Sequence, residues 1–232
     1  MDRETIEKIE EMSKVEKFDF HGLPYTSKKL HRVEELRAET LRVSSLDSFC
    51  DLIVEHGIPD GYFVNVESPT QAVFYSKLRD DVCRDKYFIC EANDYIQAIF
   101  NEWIPIEKMI IMLKSLFIPN EDRENLIKLL GNITDSKSVT TKDDGVTQTV
   151  TARTGIALED NVAINPIVKL IPYRTFLEVE QPESEFLIRL RGDTAALFEA
   201  DGGVWRVKAK KNIVEYLKAK VKEFNHEVLV TG

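Results

Sequence analysis

Residues 170–216 read LIPYRTFLEVEQPESEFLIRLRGDTAALFEADGGVWRVKAKKNIVEY. This stretch decides the fold class. Residues 170–173 and 176–180 read as short strands flanking Arg174-Thr175, and Gln181-Pro182 ends the second run. Residues 186–191 alternate, with Phe186, Ile188 and Leu190 on one face and Leu187, Arg189 and Arg191 on the other. Residues 195–200 and 204–207 flank Asp201-Gly202-Gly203, a hairpin signal. Ala209, Ile213, Tyr216, Leu217, Val221 and Phe224 then recur at helical spacing and mark a closing amphipathic helix.

Upstream the pattern is α/β. Leu41 and Val43 alternate with polar neighbours as a short strand. Ser45 is placed to cap a helix from Leu46 to about His56, and Gly57 stops it. Residues 61–66, 71–75 and 86–91 read as strands. Residues 106–118 form a helix apolar on nearly every side, whereas a surface helix shows one stripe. It is either the central core helix or also lines a subunit interface through Ile106, Met109, Ile111, Met112 and Phe117. Pro119-Asn120 starts a second helix, from residue 121 to about Leu130, with Gly131 as its stop. In residues 134–154, rich in Thr, Ser and Val, Asp144-Gly145 sits between alternating runs as a second hairpin. That ribbon is polar on both faces and needs a partner.

The expected fold is α+β: an α/β N-terminal half with a central apolar helix, and a β-hairpin-rich C-terminal half closed by a helix. The expected divisions are residues 1–33, 34–133 and 134–232, the last two packed as one unit. Residues 2–17 read as a charged helix with a narrow apolar stripe at Ile6, Ile9 and Met12. Residues 18–33 read as an irregular arm broken by Gly22 and Pro24. Such a helix is marginal alone in water and must dock on its own body or on a neighbour. Together with the apolar helix and the polar ribbon, this points to a homo-oligomer.

The net charge is −9. Duplex binding draws most of its affinity from phosphate neutralisation, so binding to duplex DNA is expected at most in the non-specific range of roughly 10⁻⁴–10⁻⁶ M. The helix carrying Lys210, Lys211, Lys218, Lys220 and Lys222 is the one candidate basic face, and reads as a solvated surface. The three cysteines, Cys50, Cys83 and Cys90, include no CxxC pair, and the four histidines are scattered. Cys50 and His56 have no ligand spacing, so no metal, cofactor or disulfide framework is expected. The most apolar run contains Glu107, Lys108 and Lys114 and is too short and charged to span a bilayer. A reducing cytoplasm is the expected compartment.

Polar residues cluster in the last third: Arg174, Glu178, Glu180, Arg189, Arg191, Glu199, Asp201 and Arg206. They read first as cross-strand ion pairs. The sharper expectation is that Arg174, Arg189 and Arg191 converge as planar forks on a phosphate or carboxylate, with Trp205 as a stacking face. No catalytic residues emerge: Ser184 and Cys50 have no histidine near in sequence, and Gly202-Gly203 lacks the Lys-Ser/Thr and the strand-to-helix setting of a phosphate cradle.

The order of words resembles the YfdQ-like family of phage and prophage proteins. The words are LDSFCDLIVEH (46–56), NEWIPIEKMIIMLKSLFIPNEDRENL (101–126), GVTQTVTARTGI (145–156), PYRTFLEVEQPESEFLIRLR (172–191), LFEADGGVW (197–205) and NIVEYL (212–217). None is a catalytic signature. The resemblance implies a phage-borne gene acting in the cytoplasm of the bacterial host, and it implies no reaction. The expected function is a non-enzymatic accessory protein that binds a host defence factor or a small anionic ligand. The alternatives are an accessory of phage DNA replication or recombination, and an enzyme on nucleotides or nucleic acid.

Overall fold

The N-terminal helix signal is met by α1 (Arg3–Ser13). The computed structural model describes all residues except 1–2, 21–22, 27–38, 80–81, 93–97, 135–137, 144–147, 154–158, 165 and 225–226. The chain divides into two compact units, Met1–Ala38 and Glu39–Gly232. In the first, α1 is exposed along its length, with Arg3 Nε 2.9 Å from Glu7 Oε1. An antiparallel ribbon of β1 (Lys17–Phe20) and β2 (Leu23–Thr26) follows, where an irregular arm was expected. Phe18 and Phe20 alternate in sequence with Lys17 and Asp19, the period of a strand. Pro24 lies opposite Asp19, and a two-stranded ribbon tolerates it because each strand keeps one unpaired side. The remainder of the expected arm, 27–33, lies outside the described residues.

The second unit is α+β. Its first elements are β3 (Leu41–Val43), α2 (Leu46–His56), β4 (Phe63–Ser68), β5 (Gln71–Tyr75) and β6 (Lys86–Glu91). Next come β7 (Ile104–Pro105), α3 (Ile106–Leu116) and α4 (Glu121–Thr134). The strands β8 (Ser138–Asp143), β9 (Gln148–Arg153) and β10 (Glu159–Ile164) form an antiparallel sheet of their own. The expected hairpin is therefore present, with a third strand added, and its Asp144-Gly145 turn lies outside the described residues. Last are β11 (Ile167–Leu170), β12 (Ser184–Arg191), β13 (Thr194–Glu199), α5 (Val204–Glu223) and β14 (Leu229–Thr231).

Apart from β8–β10, these elements form two layers, each a sheet covered by two helices. The first sheet has the order β14-β4-β5-β6-β3: a central antiparallel meander flanked by two parallel edge strands. Val64 faces Phe74, and Phe74 faces Phe88 across the meander. Onto that face α2 brings Leu46, Phe49 and Ile53, and α5 brings Ile213, Leu217 and Val221. Tyr216 of α5 donates to Asp47 of α2 at 2.5 Å, and Lys220 lies 3.2 Å from the same carboxylate. Helix α2 begins where capping chemistry places it. Ser45 Oγ accepts from the Ser48 N–H, and Gly57 follows the last residue at φ 79°.

The second sheet runs β11-β12-β13-β7, all antiparallel. Phe186, Ile188 and Leu190 are buried on one face, as the alternation requires, and α3 and α4 cover it. Arg123 of α4 closes the end of α3, donating Nε to the Leu113 carbonyl at 2.7 Å and Nη2 to the Lys114 carbonyl at 2.8 Å. Helix α3 is buried along one stripe, through Ile106, Met109, Met112 and Leu113, and exposes the opposite face. Among the expected subunit-interface residues, Ile106, Met109, Met112 and Phe117 lie in this core, which corrects their placement, and Ile111 is 57% exposed.

Several boundaries differ from the sequence pattern. Helix α4 runs through Gly131 to Thr134 because Leu130 and Ile133 both bury in the core, and packing outweighs the glycine's helix cost of about 1 kcal/mol. The layers do not divide at residue 134: α3 and α4 cover the C-terminal sheet, while α5 and β14 complete the N-terminal one. Residues 204–207 open α5 instead of pairing as a hairpin. Residues 176–180 form a turn rather than a strand, and the preceding strand ends at Leu170.

The turn has a polar core of its own. Gln181, 5% exposed, accepts from the N–H groups of Arg174 and Thr175 through Oε1, at 3.1 and 3.3 Å. Its Nε2 donates to the carbonyls of Phe176 and Val179, at 2.8 and 3.2 Å. One amide thus replaces the ladder bonds a strand would have made, which frees Phe176 and Val179 to enter the first core together. Gln181→Leu strands these four backbone groups. At about 1–3 kcal/mol for a buried polar group left unpaired, the expected loss in urea unfolding is several kcal/mol. A loss below about 1 kcal/mol would show that water replaces the amide.

Candidate functional site

Residues 171–181 form the seam between the layers. On one side the Ile118 N–H donates to the Ile171 carbonyl and the Tyr173 N–H to the Leu116 carbonyl. On the other, Thr175 Oγ1 donates to the Pro69 carbonyl, and Glu178 accepts from the Leu46 N–H at the start of α2. A cavity of about 700 Å³ opens beside this seam. Its apolar wall includes Phe100, Leu116, Tyr173 and Leu177, and its charged residues are Arg174, Glu199 and Arg206, with both guanidiniums near the Trp205 ring. This volume lies within the usual range for small-molecule pockets.

Arg174 is the centre of the site. Its side chain is 8% exposed. Nη1 lies 3.0 Å from Glu199 Oε1, and Nη2 donates to Ser184 Oγ. The guanidinium lies 3.8 Å from the centre of the Trp205 ring and 5.8 Å from that of Phe186. Burial lowers its pKa to about 10, against the opposing pull of Glu199 and Asp201, so it stays charged at neutral pH.

The turn into α5 completes the arrangement. Ser184 Oγ donates to Asp201 Oδ2 at 2.8 Å. Asp201 also accepts from the Gly203 N–H at 2.9 Å and the Trp205 N–H at 3.3 Å. Gly202 and Gly203 have φ of 62° and 82°, a region glycine alone enters freely. At Gly203 a Cβ would also meet Arg206 Nη1 at 2.5 Å. The strand-to-helix setting that the sequence did not reveal is therefore present. The helix end is still no phosphate cradle, because the Asp201 carboxylate already occupies it.

Two donors in this cluster lack an acceptor among the described residues: Arg174 Nε and Trp205 Nε1 are buried and have no hydrogen-bond partner there. Buried donors in that state cost about 1–3 kcal/mol each. Arg206 lies 4.9 Å from the Trp205 ring and makes no ion pair among the described residues. A second hollow, beside Arg42, Gln71 and Glu91, differs in kind. Glu91 there accepts from Arg42 at 2.8 Å and from Gln71 at 2.7 Å, so the polar groups satisfy one another.

The three arginines expected to converge do not. Arg174 meets Ser184 and Phe186, which share one face of β12. Arg189 and Arg191 alternate with these residues along the strand and point from the other face. Arg174 and Trp205 remain in the site, joined by Glu199, Asp201 and Arg206 from the sequence cluster. Ser184 and Gln181 were missed. Ser184 was findable, since it lies two residues before Phe186 on a strand. Gln181 was not, because its role requires a turn that the alternation hides. Comparison with protein-family models, curated proteins and solved structures finds no match to the chain.

Burial raises the Asp201 pKa, but hydrogen bonds from Ser184, Gly203 and Trp205 and the charge of Arg174 outweigh it, leaving it below its ordinary 3.8. A depressed folded-state value stabilises the protein above the unfolded pKa, and that contribution is lost as the pH falls through the folded value. Asp201→Asn keeps an oxygen for the turn but removes the titration. Its stability should fall less steeply below about pH 4 than that of the unaltered protein, in urea unfolding at stepped pH. Parallel acid limbs would show that Asp201 titrates normally.

Proposed function

We propose that the protein acts by binding a small anionic ligand in the Arg174–Trp205 cavity, as a non-enzymatic accessory protein. The observation that carries this is a nine-tenths buried guanidinium with an unmet donor beside a cavity of about 700 Å³. A perturbed charged group in a cleft is a functional-site signature. Binding is favoured over catalysis because Ser184 is held between Arg174 and Asp201, and a carboxylate below its ordinary pKa is a poor base at neutral pH. The net charge of −9 runs against tight duplex DNA binding. The likeness to YfdQ-like proteins supports a setting in phage counter-defence or host takeover, in the bacterial cytoplasm.

Denatured protein should release a bound small anion detectable by mass spectrometry, or the melting temperature should rise with one member of a panel of carboxylates, phosphates and nucleotides. A ligand at one hundred times its Kd adds about 2.7 kcal/mol. Ala98→Phe, which fills the cavity wall, should abolish the rise. It should also abolish any gain in plaque number that the protein gives phage on a defended host. No released anion and no shift across the panel would overturn the proposal.

Self-association is part of the same proposal. Ile111, 57% exposed on α3, is the remaining apolar candidate for a subunit contact on that helix. Light scattering at high micromolar concentration should give more than the monomer mass, and Ile111→Glu should lower it. A strict monomer before substitution would remove this part.

A further inference from the structure

We infer that the ligand is a heteroaromatic ring bearing a single anionic group, seated with its ring among the cavity's aromatic side chains and its charge at Arg206. This rests on the binding function proposed above and names the chemistry of its ligand. The ring follows from the walls. Phe100 is held rigid, stacked on Phe186 at 5.0 Å and edge-on to Phe117 at 6.2 Å. Tyr173, 40% exposed, and the indole of Trp205 add further flat faces. Flat apolar walls favour flat unsaturated partners in offset or edge-on contact.

The heteroatom follows from the orphan donors. Arg174 Nε and Trp205 Nε1 belong to planar groups that lie against one another. A ring with no acceptor on its edge would leave both unmet. A ring with an acceptor on its edge supplies what they lack. Both N–H groups are closed to water, so the indole or the guanidinium must shift to make the bond. Trp205 emission should report that movement.

The single charge follows from the balance around the cavity. The charged side chains lining the cavity are Arg174, Arg206 and Glu199, two positive and one negative, and Arg174 is paired with Glu199. Arg206 makes no ion pair among the described residues, so the cavity wall carries one positive charge over. Guanidinium groups hold carboxylate and phosphate equally well through paired donors. The anionic group is therefore defined by charge, and its source is decided by experiment.

Four probes separate these elements by calorimetric titration: uridine 5′-monophosphate, nicotinate, uridine and ribose 5-phosphate. Uridine 5′-monophosphate or nicotinate should bind, and whichever is tighter identifies phosphate or carboxylate. Uridine and ribose 5-phosphate should each be at least tenfold weaker than the tighter one. Arg206→Gln should reduce the charged ring to the level of uridine. Trp205→Phe, which keeps the face and loses the N–H, should weaken binding several-fold, and Trp205→Leu should abolish it, with circular-dichroism melts confirming that each variant is folded. In a Trp103→Phe background the remaining tryptophan emission should change on binding. Ribose 5-phosphate binding as tightly as uridine 5′-monophosphate would overturn the ring while leaving the binding function standing. If none of the four binds, the inference fails, and the binding function fails with it only when the broader anion panel is also silent.

Discussion

Burying a connecting segment between two hydrophobic layers costs more than burying a strand, because its backbone has no ladder to join. Residues 171–181 face that cost. Pro172 and Tyr173 are tied to the end of α3, Phe176 and Val179 are in the other core, and the turn between them is closed by one buried amide. Gln181 has enough donors and acceptors to satisfy four backbone groups, and its side chain is buried where it does so. The two layers meet at this short segment, whose turn is closed by the Gln181 amide.

The same seam explains why the site lies where it does. With its backbone N–H bound by Gln181, Arg174 projects its guanidinium between the layers, where Glu199, Ser184 and Trp205 meet it. Each of those partners comes from a different position around β12, β13 and the start of α5. The accounting that is complete around Gln181 is incomplete around Arg174 and Trp205, which each keep a buried donor unmet. Local violations of the pairing rule in an otherwise consistent structure concentrate at functional sites. The contrast with the closed Arg42–Gln71–Glu91 network makes the cavity beside Arg174 the stronger candidate.

Elements with a strong period were legible. The Ser45 cap, the apolar positions of α2 and the Gly57 stop bounded that helix within a few letters, and the alternation around Phe186 fixed both the strand and its buried face. The helical spacing from Ala209 to Val221 marked the side of α5 that buries. The failures share one cause: a local signal lost to a longer-range partner. Gly131 was overridden by the burial of Leu130 and Ile133. The Asp201-Gly202-Gly203 turn has the letters of a hairpin, but Asp201 caps a helix with them. Residues 176–180 carry strand-like letters whose partner is a side chain instead of a neighbouring strand.

By itself the chain determined its class, the limits of α2, the acidic balance that opposes duplex binding, and the two residues, Arg174 and Trp205, at the heart of the candidate site. These depend on composition and on periods of two and 3.6 residues, which are local properties. Tertiary structure alone decided which helices cover which sheet, that Arg189 and Arg191 face away from Arg174, and that Gln181 and Ser184 matter. Those outcomes depend on contacts between residues far apart in sequence, where burial and hydrogen-bond satisfaction across the layers outweigh any local preference.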